Sequence, residues 1–151
     1  LIAFEMETSE IRKSYLEILE PTLGVQGFDT LIPLDLVPLP NSYFIVSNVS
    51  RASTTLAKGS SSKITSYRNS ESRVFLNVDV SVVNELGFHS SLSVETMVSR
   101  VIEMITNGIN PNGYYIKETK VVNVVPLHQV TDTHNINRIV VSFEHWVSKR
   151  S

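Results

Sequence analysis

The residues in this sequence that could do chemistry are few. Four histidines stand at His89, His128, His134 and His145, and there is no cysteine. His128 and His134 can approach each other across a loop, but their spacing fits no helical or zinc-finger ligand pattern. Solvated loop histidines are the simpler reading. The lack of cysteine also removes disulfide frameworks, thiolate metal sites and cysteine nucleophiles. No GxGxxG or GxxxxGKS/T phosphate loop occurs, and Gly59–Ser62 (GSSS) lacks the strand–turn–helix setting that cradles a phosphate. No GxSxG elbow occurs either, and no motif ties a base to any of the many serines. Asp79 could be a buried acid, yet its neighbours Asn77 and Ser81 favour a solvated or partner-facing position. A catalytic or ligand site would have to be assembled from non-motif residues such as Asp79, His89 and His145 around a real pocket. No catalytic residue, metal ligand or cofactor is assigned.

Other side chains invite contact rather than catalysis. From Ser50 to Ser72 the chain is mostly Ser and Thr, with Arg51, Lys58, Lys63 and Arg68 set against Glu71. Such a segment has too few apolar groups to offset its ordering entropy, so an exposed loop or long flexible hairpin is expected over 50–72. It is locally basic in a chain of net charge -2. That overall balance, and the lack of aromatics in the loop beyond Tyr67, count against a dedicated nucleic-acid-binding module.

The elements that must position these groups follow from periodicity. A helix is expected over Ser9–Leu19, capped by Thr8 or Ser9 and stopped at Pro21, with Ile11, Tyr15, Ile18 and Leu19 at helical spacing. The proline-punctuated LIPLDLVPLP reads as an extended connection or edge segment. Ser42–Val49 reads as a strand. Arg73–Val83 alternates strictly, with Val74, Leu76, Val78, Val80 and Val82 toward a core and Arg73, Phe75, Asn77, Asp79 and Ser81 away from it. A second helix is expected over Leu92–Asn107, where Val94, Met97, Val98, Val101, Ile102 and Ile105 form one stripe and Gly108 ends it. A strand within Tyr114–Val125 should end at Pro126, and LHQVTDTHNIN should be a polar loop. A last strand, Ile136–Val147, turns Ile139, Val141, Phe143 and Val147 inward. Its other side carries Arg138, Val140, Ser142, Glu144 and Trp146. Aromatic residues on an otherwise polar face, here Phe75 and Trp146, are frequent interface anchors. Cover by the N-terminal helix or a loop is the competing explanation for Trp146.

Strands broken by two helices imply an α+β domain, 1–151, with a mostly antiparallel sheet and both helices packed on one face. Hydrophobic residues at 42% and charged residues at 19% suit a folded globular chain. No apolar run is long enough to cross a bilayer, and the opening LIAFEMETSE lacks the basic start of a secretion signal.

The alternating RVFLNVDVSVV, the amphipathic SVETMVSRVIEMI and the final NRIVVSFEHWVSKR, preceded by PLPNSYFIVSNVS and the polar loop, resemble tail-terminator and tail-completion proteins of tailed bacteriophages. The resemblance covers the chain from about Leu39 onward and is one of pattern, element order and length. It implies a structural virion protein and no enzyme. Identical subunits would form a ring, sixfold or twelvefold, at the neck between head-side proteins and tail tube, assembled in the host bacterial cytoplasm. Genomic DNA would pass through the lumen without sequence-specific binding. Carried onto this chain, Arg51, Lys58, Lys63 and Arg68 become lumen or neighbour contacts, and Phe75, Glu144, Trp146, Lys149 and Arg150 subunit contacts. A head–tail connector component is a close relative of this reading. The alternative from a different class is a small ligand-binding domain or enzyme with a non-motif pocket.

Overall fold

The computed structural model describes residues 2–32, 40–49, 71–85 and 91–149. The elements run α1 (Ile2–Leu23), β1 (Gln26–Asp29), β2 (Ser42–Asn48), β3 (Glu71–Glu85), α2 (Ser91–Thr106), β4 (Tyr114–Val130) and β5 (His134–Lys149). They form an α+β fold whose five-stranded sheet has the order β1-β2-β3-β5-β4. Every strand pair is antiparallel except β1 with β2.

The strict alternation of β3 does what its period dictates. Val74, Leu76, Val78 and Val80 are fully buried. They share one cluster with Ile11, Tyr15 and Leu19 of α1 and with Val94, Val98, Val101 and Ile105 of α2. On β5 the odd positions Ile139, Val141, Phe143 and Val147 join the same cluster. The register locks this arrangement, because Leu76 lies opposite Phe143 and Val78 opposite Val141. A slip of one residue would turn every one of these side chains to the second face.

Several boundaries differ from the sequence expectation, each for a physical reason. Helix α1 begins at Ile2 and runs through Pro21 to Leu23. A proline so near the end removes a single backbone donor, and the stop falls instead at Gly24. Its φ of 70° is left-handed, and its N–H donates to the Glu20 carbonyl at 2.9 Å. Strand β4 does not end at Pro126 but continues to Val130. As the outermost strand it pairs only with β5, and an edge position tolerates the missing proline N–H. The segment expected as a long polar loop is therefore mostly strand. The chain turns at residues 131–133, where the Thr131 N–H donates to the His134 carbonyl at 2.8 Å. The basic loop, expected to reach residue 72, ends earlier, since β3 starts at Glu71 and Ser72 is buried opposite Val147. Residues 50–70, and 33–39 of the proline-rich stretch, lie outside the described residues.

The short β1 had no periodic signal and is held by contacts from elsewhere. Arg12 of α1 donates to Asp29 at 2.6 Å and to Asn48 at 2.9 Å, tying the helix to β1 and β2. Gly27 lies opposite Phe44, and a Cβ there would sit 2.4 Å from Phe44 Cζ and 2.7 Å from Leu16 Cδ2. The close approach of helix, β1 and Phe44 requires glycine. Gly27→Ala should cost about 1–3 kcal/mol of stability through overpacking. Urea unfolding of the two chains checks this, and equal midpoints would contradict the packing.

Candidate functional site

The sheet divides the chemistry-bearing residues between its two faces. Val74 lies opposite His145, and Asp79 lies opposite Val140. Side chains opposite each other in a ladder share a face, so His145 belongs to the buried face and Asp79 to the second one. These two of the three residues offered for a non-motif pocket are thus kept apart by the sheet, while His89 lies outside the described residues.

His145 is fully buried, where the sequence reading had paired it with possible chemistry. Tyr15 Oη hydrogen-bonds its Nε2, and Thr119 Oγ1 lies 2.9 Å from its Nδ1. The Phe143 ring stacks beside it at 6.3 Å, and Tyr15 meets it edge-on at 5.6 Å. A neutral imidazole has one donor and one acceptor nitrogen, and these two hydroxyls satisfy both. Burial lowers the His145 pKa to about 4 and raises that of the Tyr15 phenol well above its ordinary value. The arrangement binds α1, β5 and β4 together, and a neutral imidazole sealed from solvent has no access to a substrate.

Asp79 is neither buried alone nor free. Arg138 donates to it twice, Nη2 to Oδ2 at 2.5 Å and Nε to Oδ1 at 3.3 Å. The hydrogen bond to Asp79 raises the Arg138 pKa. Farther along the same face, Ser142 Oγ donates to Asn77 Oδ1 at 2.6 Å. These cross-strand pairs form a ladder that uses its own charges internally.

At the far end of that face the structure brings together three of the five expected contact residues. Phe75 lies opposite Glu144, and Arg73 lies opposite Trp146. The Arg73 guanidinium sits 4.5 Å over the Trp146 ring and reaches Glu144 at 3.4 Å. Trp146 faces away from Tyr15 and α1, so the helix does not cover it. Lys149 is exposed at the end of β5 opposite Tyr114. Arg150 and all four basic loop residues, Arg51, Lys58, Lys63 and Arg68, lie outside the described residues. His128 and His134 are exposed on the β4–β5 hairpin, and Thr133 Oγ1 meets His134 Nδ1 at 2.8 Å. Among the described residues no group of three His, Asp or Glu side chains is placed to hold a metal ion.

The feature that sequence reasoning missed is the exposure of β4 and its extension past Pro126. Val121, Val122, Val124 and Val125 lie at the heart of the expected strand, and every residue of 121–130 is exposed. Apart from Leu31, the large exposed apolar side chains of the described residues are all on this strand: Tyr115, Val121, Val122, Val124, Val125, Leu127 and Val130. The segment 121–130, VVNVVPLHQV, carries no Asp, Glu, Lys or Arg. On the buried face β4 overhangs the helices and leaves a groove of about 470 Å³ beside the first turn of α2. Val94 and Glu95 form its wall, and Val124, Pro126 and Ile139 its floor. Asn137, on the same groove, is buried with its amide nitrogen unpartnered among the described residues.

Comparison with known proteins adds no family. No family model matches the chain, and no curated protein matches it. Among the described residues no helix is long and apolar enough to cross a membrane.

Proposed function

We propose that this chain is a structural protein of a tailed phage virion, forming a ring at the neck that joins the tail tube to head-side proteins. The observation that carries the assembly part of this reading is the uncharged, apolar stretch of β4, exposed on both faces of the strand. Contiguous apolar surface of this kind marks a place where another protein sits. The ring, its position and its sixfold or twelvefold order come from the resemblance in element order and length. In such a ring Phe75, Glu144 and Trp146 of the second face, with Lys149 and Arg150, contact neighbouring subunits. Arg51, Lys58, Lys63 and Arg68 face the lumen or a neighbour, with genomic DNA passing by without sequence readout. The protein acts in the virion and performs no catalysis.

Electron microscopy of the purified chain, alone and with tail-tube protein, tests the proposal. Closed rings with an open centre are expected in at least one of the two samples. Separate single chains in both would contradict it. The second reading, a small ligand-binding domain, has the groove beside α2 in its favour, although neither Asp79 nor His145 lines it.

A further inference from the structure

The connection from α2 to β4 carries Asn107, Asn110 and Asn112, all three exposed. A side-chain amide of this kind can be attacked by the backbone nitrogen of the residue that follows it. That residue must have an N–H, must be small enough to let the nitrogen approach, and must not have the N–H held elsewhere. Pro111 follows Asn110 and has no N–H to lose. Asn107 and Asn112 are each followed by glycine, so by local sequence they are equals.

The fold separates them. Asn107 directly follows α2, and its N–H donates to the Glu103 carbonyl at 3.0 Å. The Gly108 N–H donates to the Ile105 carbonyl at 3.2 Å, and Ile109 just beyond is buried. The nitrogen that would attack Asn107 is therefore committed to the end of the helix, and turning it toward the side chain breaks that bond. Asn112 and Gly113 are instead the two central residues of an exposed turn, closed by the Tyr114 N–H donating to the Pro111 carbonyl at 3.2 Å. Gly113 has a left-handed φ of 84°, and among the described residues its own N–H makes no hydrogen bond. Of the two glycine nitrogens, this one is open to react.

We infer that Asn112 is a site of spontaneous modification, converted through a cyclic imide with Gly113 to aspartate and isoaspartate. The Gly113 nitrogen loses its proton to water and bonds to Asn112 Cγ. The side-chain nitrogen leaves as ammonia, taking a proton back from water. A water molecule then opens the imide at either of its two carbonyl carbons. Cleavage between Cγ and the Gly113 nitrogen restores the main chain and leaves aspartate. Cleavage at the main-chain carbonyl leaves isoaspartate, with the chain routed through Cβ and Cγ. Water is the only co-reactant, and nothing is oxidised or reduced. Either product adds one negative charge to a formal net charge of -2. Isoaspartate also lengthens the backbone of a turn held between buried Pro111 and Tyr114, which packs against the core. The inference is independent of the ring reading, since it concerns the single chain.

The test incubates the chain at mildly alkaline pH, folded in buffer and unfolded in guanidinium chloride, and digests samples with trypsin at intervals. Trypsin cuts after Arg100 and Lys117, so residues 101–117 leave as one peptide holding all three asparagines. Fragment masses then place each gain of one dalton. In the folded chain the gain at Asn112 should run at least about ten times faster than at Asn107, with isoaspartate among the products. In guanidinium chloride the two rates should converge, because only the fold separates them, and Asn110 should stay unchanged in both. Asn112→Gln, a substitution on an exposed residue, should fold, remove the fast gain and leave the rate at Asn107 as in the parent. Equal rates at the two sites in the folded chain, or a faster gain at Asn107, overturn the inference. So does an Asn112 that reacts only when unfolded, which would show the turn holding the Gly113 nitrogen away. A product free of isoaspartate overturns it as well, because direct hydrolysis would then replace the imide.

Discussion

Acidification from pH 7 to pH 4 should cost this fold about 3 kcal/mol through His145 alone. The imidazole is buried, and its pKa falls to about 4 from an ordinary value of 6.5. Between those two values the unfolded chain binds a proton that the folded chain does not. Stability from this group is therefore fully present above pH 6.5 and is lost progressively as the pH drops toward 4. The size follows from the shift, at about 1.4 kcal/mol per pKa unit. Carboxylates also titrate near the lower end of this window, so the test is a difference between chains. His145→Gln retains a donor and an acceptor but has nothing to titrate. Its stability at pH 7 should be lower than that of the parent, and its fall between pH 6.5 and 4 should be much shallower. Parallel curves for the two chains would show that His145 is not sealed as described.

Phe143→Ala should be the most damaging single truncation, at about 3–5 kcal/mol. Phe143 is fully buried in the middle of β5, opposite Leu76 on one side and Val121 on the other. Tyr15 meets its ring edge-on at 5.9 Å, and the His145 ring lies parallel to it within 15°. Removing it takes away apolar burial, two aromatic contacts and the packing that holds α1 over the sheet. The two predictions are coupled, because the space left by the ring admits water beside the imidazole. The His145 pKa should then move back toward 6.5, and the pH dependence should flatten in the same variant. Urea unfolding at pH 7 and at pH 5 reads both effects. A loss under about 1 kcal/mol at pH 7 would contradict the packing.

The elements legible in the sequence are those whose burial is one-sided and regular. Strand β3 alternates without a break because one face meets the core along its length, and α2 carries a continuous stripe for the same reason. Alternation along β3 and β5 also assigned Phe75 of the one and Glu144 and Trp146 of the other to the second face correctly. Illegible were the elements whose surroundings come from far along the chain. The four residues of β1 have no period to show, and β1 is fixed by Arg12 and by the contact of Gly27 with Phe44. At the hairpin, an exposed edge strand needs neither alternation nor an unbroken row of N–H groups, so Pro126 and the polar residues after it imitate a loop. His145 sits two residues from both Phe143 and Val147, so counting alone places it inward. Its polarity argued otherwise until Tyr15 and Thr119 supplied its partners. The exposure of β4 could not be read either, because a valine run describes a strand without saying whether anything covers it.

The account depends most on the claim that the apolar hairpin is covered by protein when this chain works. The most direct test is the mass of this 151-residue chain in solution, by light scattering across a wide concentration range. The account predicts a discrete species of several copies, with the 16.9 kDa single chain giving way to it as concentration rises. A mass of 16.9 kDa at every concentration would contradict self-assembly through β4.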